Sequence, residues 1–271
     1  MIGQTKILKW VDSNINSFPH FIVLVGSHGC GKQTLCREIA HKISCVYSKC
    51  EIKVDNVREV IDTAYSITER VMYCFADADN MKAQAKNAML KITEEPPKNA
   101  YFCLTVSDDS SLLDTIKSRA NVIYLEEYTN DELAQYYYEG ASNGNEEECK
   151  LFCTICSNPG EIDKLTKYGK DFYDYVELVL ENIAEVEPAN AFKSSNKISL
   201  KTDDGYDLGL FFKTFVNICL DRLSDKTEDI IKYCDGIKVT TKYLNKVNNL
   251  GVNKQQLYDM WVFDIRQAWC E

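Results

Sequence analysis

Hydrophobic positions along this chain follow two rhythms. Through roughly the first 125 residues, short solid apolar runs alternate with stretches whose apolar residues recur every three to four positions. The run Phe21-Ile22-Val23-Leu24-Val25 is β-branched and unbroken by any polar residue, which predicts a strand buried on both faces. Comparable runs are Val71-Met72-Tyr73-Cys74-Phe75, Tyr101-Phe102-Cys103-Leu104-Thr105-Val106 and Val122-Ile123-Tyr124-Leu125. Helical patterns lie between them. One runs from Lys32 to about Ile43. A second starts after Asp55 as N-cap and carries the stripe Val57, Val60, Ile61, Ala64. A third spans about Met81 to Thr93, with Ala85, Ala88, Met89 and Ile92 on one face, and Pro96-Pro97 stops it because proline cannot continue a helix. A short fourth lies near Leu112–Ser118. Strands alternating with helices predict an α/β fold built on a parallel sheet.

Beyond residue 126 the rhythm is helical throughout. Thr129-Asn130-Asp131-Glu132 has the spacing of a capping box, with Thr129 as N-cap and Glu132 reaching back. Ser142–Asn145 is a turn, helices are predicted near Glu146–Cys156 and after Pro159, and a polar loop is expected at Lys193–Gly205. The expected domains are 1–126 (α/β), 127–170 (three helices) and 171–271 (all-helical).

Charge and cysteine content narrow the function classes. Against 31 Lys and Arg stand 41 Asp and Glu, a net charge of −10, which argues against a surface that grips nucleic acid by itself. No apolar run reaches the ~18–20 residues of a membrane helix, and MIGQTKILKW lacks the apolar core of a secretion signal. A cytoplasmic protein with reduced thiols is therefore expected, its 12 cysteines serving mainly as small hydrophobes. Cys74 and Cys103 lie inside strands. Cys149, Cys153 and Cys156 share one helix face and read as core. Cys45 and Cys50 are too few for a structural zinc site, so no zinc is expected.

The strongest chemical signal is Gly26-Ser27-His28-Gly29-Cys30-Gly31-Lys32-Gln33-Thr34, a GxxxxGK loop between a strand and a helix. Glycines let backbone N–H groups turn inward around a phosphate, the helix N-terminus adds its dipole, and the lysine reaches the β/γ-phosphates. ATP or ADP is the expected ligand. Gln33 occupies the position where a Ser or Thr hydroxyl ordinarily holds magnesium, so that metal site is expected to be weakened.

After the strand ending at Phe75, the stretch Ala78-Asp79-Asn80-Met81 … Asn87-Ala88-Met89-Leu90-Lys91-Ile92-Thr93-Glu94-Glu95-Pro96-Pro97 resembles the clamp-loader family of AAA+ proteins. Ile2-Gly3-Gln4, Pro19-His20 and Ser118-Arg119 match further family elements in order, with Ala120 in place of the family's cysteine. The resemblance implies a RecA-like P-loop domain over 1–126, a three-helix lid over 127–170 and a helical collar over 171–271. It also places Ala76 where the family's metal-supporting aspartate stands, Asp77 where its water-activating glutamate stands, and Ser107 at sensor 1. No arginine falls at sensor 2 near 157–163. With Gln33, that is four altered positions in one site. Within the family this pattern resembles the delta-prime type of subunit of bacterial DNA polymerase III. There Arg119 would act in trans, as a finger in a neighbouring motor subunit's ATP site. The implied partners are tau/gamma-like and delta-like subunits in a hetero-oligomer, the sliding clamp and, indirectly, primed DNA. Two rival readings stand beside it: an active tau/gamma-like ATPase, and an interaction scaffold without nucleotide. Lys82 and Lys86 share a helix face, with Lys91 further along, and read either as solvated charges or as an approach to DNA.

Overall fold

The structure is a computed structural model that describes residues 1–140, 144–184, 198, 205–224, 229–247 and 252–270. Two compact units emerge from its packing: Met1–Tyr136 with Asn158–Gly160, and Tyr137–Ser157 with Glu161–Glu271.

The first unit is a five-stranded parallel sheet in the order β2-β3-β4-β1-β5, with β1 Phe21–Val25, β2 Val46–Cys50, β3 Val71–Phe75, β4 Ala100–Val106 and β5 Asn121–Tyr124. All four pairings are parallel. Strand β1 lies between β4 and β5 and is buried along its whole length, as its unbroken apolar run requires. Each central strand sends alternate side chains to opposite faces. Phe21, Val23, Val25, Tyr73, Phe75, Phe102 and Leu104 share one core. They pack there with residues of α3 (Val54–Ala64), α4 (Ala83–Ala88), α5 (Leu90–Glu94) and α6 (Asp114–Lys117). On the other side Ile22, Leu24, Met72, Cys74, Tyr101 and Cys103 meet residues of α1 (Thr5–Ser13) and α2 (Lys32–Lys42).

Three local expectations are revised. Strand β2 has no counterpart in the sequence reading: it is an edge strand with exposed and half-buried positions, so its pattern lacks a solid apolar run. Helix α3 begins two residues earlier than predicted, with Lys53 at its N-cap; Asp55 sits in the first turn, where its carboxylate meets the helix dipole instead of capping N–H groups. The predicted helix over 81–93 is two helices meeting at Met89, whose N–H is shared between the carbonyls of Ala85 and Lys86 at 3.3 and 3.2 Å. By contrast, the capping box forms as read: Glu132 N–H donates to Thr129 Oγ1 at 3.3 Å, and Thr129 N–H donates to Glu132 Oε2 at 2.9 Å.

The second unit is helical. It contains the end of α7 (Asn130–Gly140), α8 (Glu146–Ile155), α10 (Lys170–Asn182), α11 (Leu208–Ser224), α12 (Ile230–Leu244) and α13 (Lys254–Cys270), together with most of α9 (Pro159–Tyr168). Its core is aromatic. Phe211, Phe212, Phe215 and Tyr258 surround Trp261 with ring centroids 5.1–5.4 Å away. The Trp261 indole N–H donates to Thr240 Oγ1 at 3.0 Å, which satisfies the one polar atom of a fully buried ring. Tyr243, Leu257, Tyr258, Trp261, Val262 and Ile265 are buried in this unit, while Met260 and Phe263 are exposed. Cys149, Cys153 and Cys156 are buried, as the core reading expects. The loops expected over 142–145 and 193–205 lie largely outside the described residues. Among those residues no helix is long and apolar enough to cross a membrane.

Candidate functional site

Ligands of open parallel sheets bind outside the carboxyl ends of the strands, where the order of connection reverses. Here β1 is flanked by β4 and β5, and the residues singled out for nucleotide chemistry follow strands that end at one edge. The register pairs Val25 with Val106 and with Tyr124, and Phe75 with Leu104. Gly26–Lys32, Ala76–Asp79 and Ser107 therefore gather at this edge.

The loop after β1 is wound by two left-handed glycines, Gly29 at φ +85° and Gly31 at φ +87°. At both positions a side chain would be strained. Gly29 is also crowded: a Cβ there would come within 2.7 Å of Asn158 Oδ1 and 3.2 Å of Gly160 Cα. Gly160 N–H donates to the Gly29 carbonyl at 3.1 Å, and Tyr128 OH donates to the Cys30 carbonyl at 2.9 Å. The loop is thus braced from outside while Ser27, His28 and Thr34 stay exposed and Gln33 is half-buried. Lys32 is buried, 7% exposed. Its ammonium donates to the carbonyl of Gly26 and, at 2.9 Å, to that of Ser27. A buried ammonium needs such partners, and these belong to the loop that would cradle a phosphate. A phosphate entering the loop exchanges those carbonyls for phosphoryl oxygens, a stronger charge-assisted pairing.

The end of β3 is built differently. Ala76 is buried and offers no ligand atom. Asp77 has a left-handed backbone, φ 54°, and its N–H donates to Thr105 Oγ1 at 3.1 Å, so a buried hydroxyl of β4 fixes the turn. Asp79 is committed to structure. Its carboxylate accepts from Ser107 N–H at 2.8 and 3.0 Å and from Ser111 Oγ at 3.0 Å. The sequence reading singled out Ser107 for its side chain; the structure also engages its backbone through Asp79. With glutamine at 33 and alanine at 76, the donors present do not make the usual magnesium set.

Arg119 is not part of this gathering. It follows α6 and precedes β5, whose first residue, Asn121, pairs with Ile22 near the start of β1. Four to five residues of strand, at about 3.3 Å each, separate the two levels, or about 15 Å. Arg119 therefore lies toward the amino edge of the sheet, opposite the phosphate loop. Its guanidinium pairs with Glu94 at 3.1 Å and donates to the Thr115 carbonyl at 3.1 Å. Glu94 belongs to the Glu94-Glu95-Pro96-Pro97 element, which gives that motif a role its sequence did not disclose.

Other residues sharpen the picture. Gln4, buried in a left-handed backbone, exchanges two 2.8 Å hydrogen bonds with the backbone of Glu126, so Ile2-Gly3-Gln4 fastens to the chain just past β5. The three lysines of the α4–α5 region do not form one free basic face. Lys86 is buried and donates to the Ser111 carbonyl at 2.5 Å, while Lys91 lies 5.1 Å above the Tyr65 ring. Neither the solvated reading nor the DNA reading had room for the burial of Lys86.

Comparison with known proteins agrees with this architecture. Residues 46–129 match the family described as DNA polymerase III, delta subunit. The chain is 27% identical over 189 residues to DNA polymerase III subunit gamma of Buchnera aphidicola, covering 56% of this chain and 52% of that protein. It is 33% identical over 137 residues to subunit delta' of Haemophilus influenzae, covering 46% and 41%. The matched stretches thus span about half or less of these relatives. A gamma subunit-related protein of Thermotoga maritima shares the fold with a TM-score of 0.54 at 17% identity, over 97% of this chain and 99% of that one. The RuvB Holliday junction branch migration motor of the same organism follows at 0.52 and 17%, over 80% and 77%. Family match, relatives and fold converge on the clamp-loader AAA+ proteins as what this chain is similar to.

Proposed function

We propose that this chain is a clamp-loader subunit of the delta-prime kind: it holds nucleotide weakly or without turnover and lends Arg119 to the ATP site of a neighbouring motor subunit. The observation that carries this reading is the separation of Arg119 from the chain's own phosphate loop by the length of β1. An exposed guanidinium at the amino edge cannot reach a γ-phosphate at the carboxyl edge of the same sheet, but it is free to serve another molecule. The chemistry at β3 supports the same reading, because Ala76 supplies no carboxylate and Asp79 is taken up by Ser107 and Ser111.

In this reading the backbone N–H groups of Gly29–Lys32 and the Lys32 ammonium hold the phosphates. Arg119 leaves Glu94 and stabilises charge on a partner's transferring phosphoryl group, a contribution worth roughly 10³–10⁵ in rate where arginine fingers act. The partners would be tau/gamma-like and delta-like subunits, a sliding clamp and, through them, primed DNA. The test is the ATPase rate of the complex reconstituted with Arg119→Ala. A large fall with assembly intact supports the trans finger; an unchanged rate removes it.

A second reading, an active motor of the tau/gamma kind, is favoured by the extent of the match to gamma relatives, 189 residues against 137 for delta'. It requires ATP hydrolysis by the purified chain above that of Lys32→Ala. Equal rates would remove it.

A further inference from the structure

The face of the sheet turned toward α2 carries a group of side chains that nucleotide chemistry does not use. Cys36 lies on α2 one turn beyond Lys32, while Cys74 of β3 and Cys103 of β4 stand directly opposite each other in the strand register. All three are fully buried, and their sulfur atoms lie within 4.8 Å of one another. The Tyr47 hydroxyl from β2 is buried without a hydrogen-bond partner. The Arg37 guanidinium lies 5.1 Å above the same tyrosine ring.

We propose that Cys36, Cys74 and Cys103 form a three-coordinate site for a soft, thiophilic d¹⁰ cation, with monovalent copper as the ion it fits. Metal–sulfur bonds of about 2.3 Å in a trigonal plane space the sulfurs about 4 Å apart, within reach of the observed triangle. Thiolates select soft ions such as copper(I). A structural zinc site is four-coordinate, and among the described residues this cluster gathers three cysteines with no histidine or carboxylate. Loading forms three copper–sulfur bonds, breaks three S–H bonds with release of their protons to solvent and changes no oxidation state. Three thiolates around one monovalent ion leave a net charge of −2. Arg37, over Tyr47, and Lys49, which stands opposite Cys74 in the register of β2 and β3, supply the opposing charge. An ion there would tie α2, the helix that carries Lys32, to β3 and β4. The site stands independently of the function proposed above.

The full chain, refolded without oxygen in the presence of copper(I) and dialysed against bathocuproine disulfonate, tests this. About one equivalent of copper should be retained, with an X-ray absorption shell of three sulfurs at about 2.3 Å. Cys74→Ala and Cys103→Ala should lose the competitor-resistant copper, whereas Cys234→Ala, at an exposed position of the other unit, should keep it. Retention by Cys74→Ala equal to that of the unmodified chain would overturn the site. So would a shell containing nitrogen or oxygen, or a preference for zinc that Tyr47→Phe abolishes. Should the alanine variants not fold, the absorption shell of the unmodified chain decides alone.

Discussion

Two strand ends meet at the candidate site, and they have been treated oppositely. After β1, the loop keeps each feature a phosphate needs: positive-φ glycines, a helix start and a buried lysine held on the Gly26 and Ser27 carbonyls. After β3, the positions that would handle metal and water are an alanine and an aspartate, and the nearest further carboxylate is spent on bracing Ser107 and Ser111. In the proposed reading, one edge of one sheet thus combines a cradle with a missing engine. Binding rests on backbone conformation, which distributes its effect over many N–H groups. Hydrolysis rests on a few side-chain atoms, so in that reading a handful of substitutions removes it while the cradle survives.

The comparison breaks most visibly if the engine is restored. Gln33→Thr with Ala76→Asp and Asp77→Glu should raise ATP hydrolysis by about 10²–10⁴, the range positioned acid–base groups contribute. A flat rate in a phosphate-release assay would mean that the end of β3 is not what silences the site. Next in size, Lys32→Ala should weaken nucleotide binding by about 1.5–3 kcal/mol, roughly 10–150-fold, for the loss of a charged hydrogen bond, read by calorimetric titration. Unchanged affinity would dissolve the cradle half of the comparison. Asp79→Ala should cost about 1–3 kcal/mol in denaturant unfolding, because Ser107 N–H and Ser111 Oγ lose their acceptor. A neutral result there would return Asp79 to the pool of available ligands. Smallest of all, Arg119→Ala in the isolated chain should shift stability by less than about 0.5 kcal/mol, since its pair with Glu94 is exposed. A large loss would make the arginine structural and unavailable to a partner.

Much of this was legible in the residues. Solid apolar runs announced β1, β3 and β4, because strands buried on both faces admit little polar character, and the apolar run of β5 announced that edge strand although its ends are exposed. The GxxxxGK spacing announced the loop, because only glycine winds cheaply into a positive φ. The edge strand β2 escaped notice because half of it faces water. The break at Met89 escaped because the apolar stripe runs on through it. The burial of Lys86 was hidden by its position beside Lys82 on what looked like a solvated face; its partner, the Ser111 carbonyl, is 25 residues away.

What the sequence by itself determined is the kind of fold and the identity of the atoms available: alternating strands and helices, a phosphate-loop lysine, an alanine and an aspartate where acids would work, and an arginine after Ser118. What only the tertiary structure decided is who stands beside whom. The parallel register gathers Gly26–Lys32 and Ala76–Asp79 at one edge and leaves Arg119 toward the other. It sets Cys74 against Cys103 beneath Cys36, and it commits Asp79 to Ser107. Local pattern follows from neighbours within one or two turns of chain, whereas these encounters join residues some thirty to a hundred positions apart. Only the pairing of strands, fixed by burial on both faces of the sheet, brings them together.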